Sequence, residues 1–476
     1  MTLLTKSKFM AGLQCPRLLW FTNKKELPGI TISDQHKFNQ GSLFEQQAYK
    51  LFPEATNLQG LEFKDNIIKT REAIKNKQII FEAGIFHENY YIRADVLDVK
   101  NNNLYEIKST TQSKKHHIPD LAFQKFVLEK EGVKIDRCFI IHLNKEYQKN
   151  GDLNPKELCT VEEVTEEVNY LKDVESHAQK AFKVMSLEEA PEIVISKGCR
   201  NPYECPLKKT CWSILPENNV LQLKNWRVYW DLFNQDIVDM KDIPEGLKLS
   251  PKDEVIRNGA IENKSQINKE VISQFLDSLN FPLYHFDFET FDTAVPIYDK
   301  SKPYQKIPFQ YSLHIQHEDG KLEHFEYLAT GEEDPRIKLL ETLREQIQGK
   351  GDVIVFNKSF EISVLTKLSE DFPEHAEWIR EVIERIIDLA TPFQNFDYYD
   401  PSQKGSYSIK KVLPALTGKG YSDLEIGNGA DASALYFYTH IVKDIDKDIR
   451  EDLLKYCCLD TEGMVWIVDK LKEIVK

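Results

Sequence analysis

The stretch "LYHFDFETFD" (residues 283–292) decides how the second half of the chain is read. Alternate side chains of a strand point to opposite faces. A strand here puts Tyr284, Phe286 and Phe288 on one face and His285, Asp287 and Glu289 on the other. Two carboxylates two residues apart on one face sit roughly 7 Å apart at Cα and repel each other. Left unbalanced, they lower stability or raise a pKa. A hard cation such as Mg²⁺ or Mn²⁺, which binds carboxylate oxygens, removes the conflict. A solvated edge strand with two stray acids is the plainer alternative. His285 shares the acids' face and reads as their neighbour, not as a ligand.

Two later segments supply further acids. In "GDVIVFNKSFEISVLTKL" (351–368), "VIVF" is a short buried strand, Ser359 a candidate N-cap and Glu361 a first-turn residue of the next helix. "EDLLKYCCLDTEGMVWIVDKLKEIV" (451–475) has helical periodicity and puts Tyr456 and Asp460, four apart, on one face. Asp388 in "RIIDLATPF" is a rival acid, although a strand-end or N-cap role is the plainer reading. The adjacent Cys457 and Cys458 face different sides of their helix and read as packing residues.

The first half carries a second set. "YIRADVLDVKNNNLYEIKS" (91–109) reads as a hairpin. A turn centred on Asn101 and Asn102 sets Asp95 opposite Lys108, with Glu106 diagonal on the same face. A cross-strand ion pair on a solvated hairpin is the ordinary alternative. "QGSLFEQQAYKLF" (40–52) is a helix carrying Glu45. In "PDLAFQKFVLEK" (119–130), Gln124 falls on the side of Leu121 and Leu128, where a buried amide needs a partner.

Eight cysteines are present. Cys15 precedes this first set, and Cys199, Cys205 and Cys211 follow it with the spacing C-x₅-C-x₅-C. The short C-x₂₋₄-C knuckles of structural zinc sites are absent.

At 476 residues the chain exceeds one typical core. The expected division is a first block at 1–212, a helical linker at 213–278 and a second block at 279–476. No apolar run is long enough to span a bilayer, and the N-terminus lacks an apolar signal region, which together predict a cytoplasmic protein without a membrane partner. Net charge is −14, and it is uneven. Residues 281–476 hold 23 Lys+Arg against 36 Asp+Glu, hence −13 of the total. Such charge argues against nucleic acid unless cations offset the acids. Basic clusters remain at 108–117, 199–209 and 408–411.

The second block resembles the DEDD exonucleases of the RNase H-like fold, in the subgroup with tyrosine in the last motif. Asp287 and Glu289 match the first motif, "NKSFEISVL" the second with Glu361 where aspartate is usual, and Tyr456 and Asp460 the third. "GSYSIKKVLPAL" (405–416) is similar to that family's helix start between the last two motifs. The resemblance implies Mg²⁺ or Mn²⁺ held by Asp287, Glu289, Glu361 and Asp460, with Tyr456 orienting the attacking water.

The first block resembles the RecB-type PD-(D/E)XK nucleases. Gly41 and Glu45 look like their Gly-x-x-x-Glu helix, Asp95, Glu106 and Lys108 like their core, and Gln124 like their last motif, where Leu128 replaces the usual tyrosine. This implies catalytic roles for Asp95, Glu106, Lys108 and Gln124, with Asp95, Glu106 and Glu45 as ligands of Mg²⁺ or Mn²⁺. Cys15, Cys199, Cys205 and Cys211 resemble the four-cysteine [4Fe–4S] site of RecB-type nucleases, including those of CRISPR adaptation, although that family more often has C-x₂-C-x₅-C. Zinc or free thiols are the alternatives.

The expected fold class is therefore α/β, a PD-(D/E)XK nuclease domain and an RNase H-like DEDD domain joined by a helical linker. The chain as a whole resembles a bacterial family that pairs them. The function implied is hydrolysis of DNA in repair, recombination or defence. Alternatives are an RNA-processing exonuclease whose first block only binds, and a non-catalytic nucleic-acid-binding scaffold. Nothing in the residues names a protein partner.

Overall fold

The computed structural model describes residues 3–445 and 447–476. It is a mixed α/β structure that divides into two compact units: Met1–Ile214 with Thr293–Gln305, and Leu215–Asp292 with Lys306–Lys476.

Among the described residues of the first unit, seven strands form one sheet: β1 (Leu4–Thr5), β2 (Thr56–Asn57), β3 (Ile79–His87), β4 (Tyr90–Asp98), β5 (Asn103–Lys108), β6 (Arg137–Leu143) and β7 (Cys159–Glu163). They run β2-β3-β4-β5-β6-β7, and β1 joins the start of β4 in parallel. Along β4, Tyr90, Ile92, Ala94 and Val96 are buried while Tyr91, Arg93 and Asp95 are part-exposed, so Asp95 leaves the face that Ile92 and Ala94 present to the core. The helix Ile118–Lys130 packs Leu121, Phe123, Val127 and Leu128 into that core. Leu128, where the resemblance calls for tyrosine, is fully buried there.

The hairpin register differs from the expected one by two residues. Val96 pairs with Tyr105 and Asp98 with Asn103. The reason is local. The Asp98 carboxylate accepts the Asn101 backbone N–H at 3.0 Å and its side-chain amide at 2.7 Å, and Asn102 adopts a positive φ of 56°. This Asx-type closure pulls the turn toward β4.

The second unit is built on a five-stranded sheet. A small ladder, β8 (Gln266–Ile267) with β14 (Tyr398–Tyr399), stands apart from it. The sheet contains β9 (Leu283–Phe291), β10 (Ile307–Gln316), β11 (Leu322–Leu328), β12 (Val353–Val355) and β13 (Ile386–Asp388) in the order β11-β10-β9-β12-β13. β9 is central, antiparallel to β10 and parallel to β12. Covered on both faces, it is buried at every residue except the half-buried Asp287 although it carries His285, Asp287, Glu289 and Thr290. Tyr284, Phe286 and Phe288 pack with Leu339, Leu365 and Leu368. Ile467 and Leu471 of the long helix Arg450–Val475 pack with Leu283 in a different cluster.

Residues 215–278 group with the second unit and hold the helices Trp226–Phe233, Pro251–Glu262 and Lys269–Asp277. Residues 293–305, read from sequence as second-block residues, group with the first unit. There the Ala294 N–H donates to Gln40 at 2.8 Å, and the Tyr304 hydroxyl meets that of Ser109 at 2.6 Å. Among the described residues, no helix is long and apolar enough to cross a membrane.

Candidate functional site

Three carboxylates converge in the second unit. Asp287 and Glu289 project from β9, Asp460 from the helix Arg450–Val475, and one oxygen of each lies within 4.8 Å of the other two. Glu361, in the first turn of the helix Lys358–Asp371, is 2% exposed, and its Oε2 has no hydrogen-bond partner. Burial and the charge of Asp460 push Glu289 up to about 8. Burial pushes Glu361 to a similar value. Burial and the charges of Asp460, Glu289 and Glu361 hold Asp287 well above its ordinary value. Burial takes Asp460 up to about 6 even though a tyrosine hydrogen bond opposes it. Without a cation, the group is a cluster of buried acids that resist ionisation.

The surroundings complete the site. Tyr456 is buried, and its side chain favours the ionised form of Asp460. Tyr421, absent from the sequence-derived set, also donates its hydroxyl to Asp460. Lys410 lies over the rings of Tyr456 and Tyr421, 4.9 and 5.4 Å from their centroids, and adds a positive charge facing the acids. Its sequence signal was the basic "SIKK" run, but chain order alone does not bring that run to β9. A Cβ added to Gly429 would lie 3.4 Å from Glu289 Oε2.

Asp388 lies near enough to Glu361 for its charge to help raise that acid, but its own carboxylate is occupied by backbone. Its carboxylate accepts the backbone N–H groups of Asn357, Lys358 and Ala390 at 3.0, 3.2 and 3.0 Å. It therefore does the capping expected of Ser359, which lies inside the helix and instead donates to Asn357. His285 is buried and bonds Gln316 at 3.1 Å.

The raised acids have a consequence for stability. A carboxyl whose folded pKa exceeds its unfolded value binds more protons folded than unfolded, so stability falls as pH rises through that window. The window here runs from about 4, where unfolded carboxyls titrate, to about 8 for Glu289 and Glu361. The melting temperature of metal-free protein should drop between about pH 5 and pH 8. Excess Mn²⁺ should raise it much more at the upper end, as thermal melts would record. A Mn²⁺ response equal at both ends would refute this.

In the first unit the sequence-derived residues also meet. Asp95 accepts the Ile107 N–H at 2.7 Å. Glu106 Oε1 accepts Lys108 at 2.6 Å and Lys6 at 2.9 Å, and Oε2 accepts Gln124 at 2.6 Å. Lys108 and Gln124 each reach Asp120 as well, at 2.7 and 3.0 Å. Lys6 also lies 3.4 Å from Asp95, and so stands between the two acids read as joint metal ligands. Burial opposes charge on Glu106, but Lys108 and Lys6 outweigh it and hold the carboxyl below its ordinary range. Asp95 is pushed up to about 8 by burial and by Glu106.

The oxygens that gather within 4.8 Å are those of Asp95, Glu45 and Glu82. Glu82, unused in the sequence reading, lies on β3 with a left-handed φ of 55°, a strained backbone for a residue with a side chain. Its signal was an acid inside the apolar run "IIFEAGIF", the same anomaly as in "LYHFDFETFD". Lys6 and Asp120 carried no comparable signal.

The four cysteines are gathered in the same unit. Cys15 caps the helix Lys6–Gln14 and packs with Leu18, Cys205, Leu207 and Cys211. The Cys205 N–H donates to the Cys199 carbonyl at 3.0 Å. Burial raises the Cys205 thiol, and Cys15, Cys199 and Cys211 raise it further.

Residues 284–408 match a family described as a domain of unknown function, DUF2779. That span takes in Asp287, Glu289, Glu361 and Asp388 and ends before Tyr456 and Asp460. The chain is similar to the "Uncharacterized protein MG366" of Mycoplasma genitalium, 27% identical over 217 residues, which are 40% of this chain and 32% of the relative. It is also similar to the "Uncharacterized protein UU173" of Ureaplasma parvum, 27% identical over 239 residues, 45% of this chain and 34% of that relative. The matches thus span about a third of the length of these curated relatives.

Proposed function

We propose that this chain is a metal-dependent nuclease with two separate centres that hydrolyses phosphodiester bonds of DNA in the cytoplasm, in repair, recombination or defence. The second unit is read as an RNase H-like DEDD exonuclease and the first as a RecB-like PD-(D/E)XK nuclease. The observation that carries the proposal is the buried convergence of Asp287, Glu289 and Asp460 within 4.8 Å, with the unpartnered Oε2 of buried Glu361 as a fourth acid of the same electrostatic group.

This donor set fits hard cations, because all its ligand atoms are carboxylate oxygens and their charge is otherwise unbalanced. Bound Mg²⁺ or Mn²⁺ would supply Lewis acidity for in-line hydrolysis. Asp287, Glu289, Glu361 and Asp460 would hold the ions. Tyr456 would orient the attacking water, and Tyr421 fixes the carboxylate of Asp460 through its hydrogen bond. Lys410, which lies over the Tyr456 ring, would offer a cation to the substrate phosphate.

In the first unit Asp95, Glu45 and Glu82 form the all-oxygen group that fits a cation. Glu106, tied to Lys6, Lys108 and Gln124, would position Lys108 toward a reacting phosphate. A cation binding to both Asp95 and Glu106 would have to displace Lys6. The gathered thiols of Cys15, Cys199, Cys205 and Cys211 fit a four-thiolate [4Fe–4S] group. Protein purified without oxygen should be brown and contain iron and sulfide. Cys205→Ser should bleach it and lower the melting of the first unit alone. Colourless protein holding one zinc per chain would overturn the cluster assignment.

Substrate class is tested with a labelled DNA oligonucleotide and its RNA copy in the presence of Mn²⁺. Faster cleavage of DNA is expected. Cleavage of RNA alone would favour the processing role, and no metal-dependent cleavage of either would overturn the nuclease reading.

A further inference from the structure

A second kind of donor cluster lies in the second unit. His314 of β10, His324 of β11 and Cys458 of the helix Arg450–Val475 each bring one ligand atom within 4.8 Å of the other two. Sequence reading treated Cys458 as packing, yet it is only part-buried. The two histidines are direct partners across the β10–β11 ladder, and their rings stack at 4.2 Å.

The polar surroundings are ordered. The Thr461 hydroxyl lies 2.8 Å from His314 Nδ1 and 2.7 Å from Ser312 Oγ, and Ser312 Oγ lies 3.0 Å from His324 Nε2. Hydroxyls of this kind fix ring orientation and tautomer in metal-binding histidines. Glu326, two residues from His324 and so on the same strand face, has a carboxylate oxygen 4.0 Å from His324 Nε2.

We propose that His314, His324 and Cys458 form a three-ligand zinc site, its fourth position open to water, that fastens the edge of the sheet to the C-terminal helix. Two nitrogens and a thiolate sulfur select Zn²⁺ over Mg²⁺ or Mn²⁺, which prefer all-oxygen sets. Tetrahedral zinc with bonds of about 2.0–2.3 Å needs donors less than about 4 Å apart, so small side-chain rotations complete it. The site differs in donor chemistry from the acids on β9 and from the four cysteines. It does not depend on the nuclease proposal. The clamped helix also carries Tyr456 and Asp460, so zinc would hold them against β9 and β10.

The test is zinc bound per chain, measured by elemental analysis after saturation with Zn²⁺ and removal of free ion, in wild type, Cys458→Ser and His324→Ala. Each variant should lose one zinc equivalent and the zinc-induced rise in melting temperature, while metal held by the four cysteines stays constant. His324 is exposed on an edge strand, so that variant keeps the core intact even where Cys458→Ser folds poorly. Equal zinc content in wild type and His324→Ala would overturn the proposal.

Discussion

Asp287→Asn should lower cleavage by the second unit at least about a hundredfold while leaving the metal-free protein as stable as wild type, or more stable, near pH 8. The two effects share one cause. Asp287 is half-buried among Asp460, Glu289 and Glu361, each of which opposes its ionisation. Replacing it by a neutral isostere relieves repulsion in the empty site and removes a charge that bound cations need. Most buried substitutions destabilise, so a gain in melting temperature beside a large loss of rate marks residues placed for chemistry and not for packing. Single-turnover cleavage at saturating Mn²⁺, paired with a thermal melt, checks both. Lower stability with unchanged rate would make Asp287 an ordinary core residue.

Glu361→Gln and Asp388→Asn should diverge equally sharply. Glu361 is buried with a free carboxylate oxygen, so its amide variant should lose orders of magnitude in rate with little change in fold. Glu361→Asp keeps the charge and retracts it by about one bond, roughly 1.5 Å, and should retain partial activity. Asp388 is committed to three backbone N–H groups. Asp388→Asn should therefore weaken the helix start by about 1 kcal/mol and leave the chemical step nearly intact. The reverse pattern would make Asp388 the metal ligand.

Much of this was legible in the chain because the anomalies were local. Acids inside apolar strands violate binary patterning, and both "LYHFDFETFD" and "YIRADVLDVK" announce that conflict within ten residues. Helical spacing was enough to pair Tyr456 with Asp460. What stayed hidden depended on contacts distant in sequence. Lys6 reaches Glu106 from 100 residues away, and Tyr421 reaches Asp460 from 39. No periodicity encodes such contacts. The hairpin register failed for a different reason. A single Asx closure by Asp98 outweighed the apparent centre of the "KNNN" turn. The return of residues 293–305 to the first unit rests on bonds such as those of Gln40 and Tyr304, which chain order cannot reveal.

The most direct test of two independent centres is digestion of 5′- and 3′-end-labelled single- and double-stranded DNA with Mn²⁺ by wild type, Lys108→Ala and Asp287→Ala. Lys108 bonds Glu106 and Asp120 of the first centre, and Asp287 belongs to the second. Each variant should lose one product pattern and keep the other, with mononucleotide release surviving in Lys108→Ala and vanishing in Asp287→Ala. Loss of every product in either variant, with its melting curve unchanged, would contradict two centres and point to one composite site.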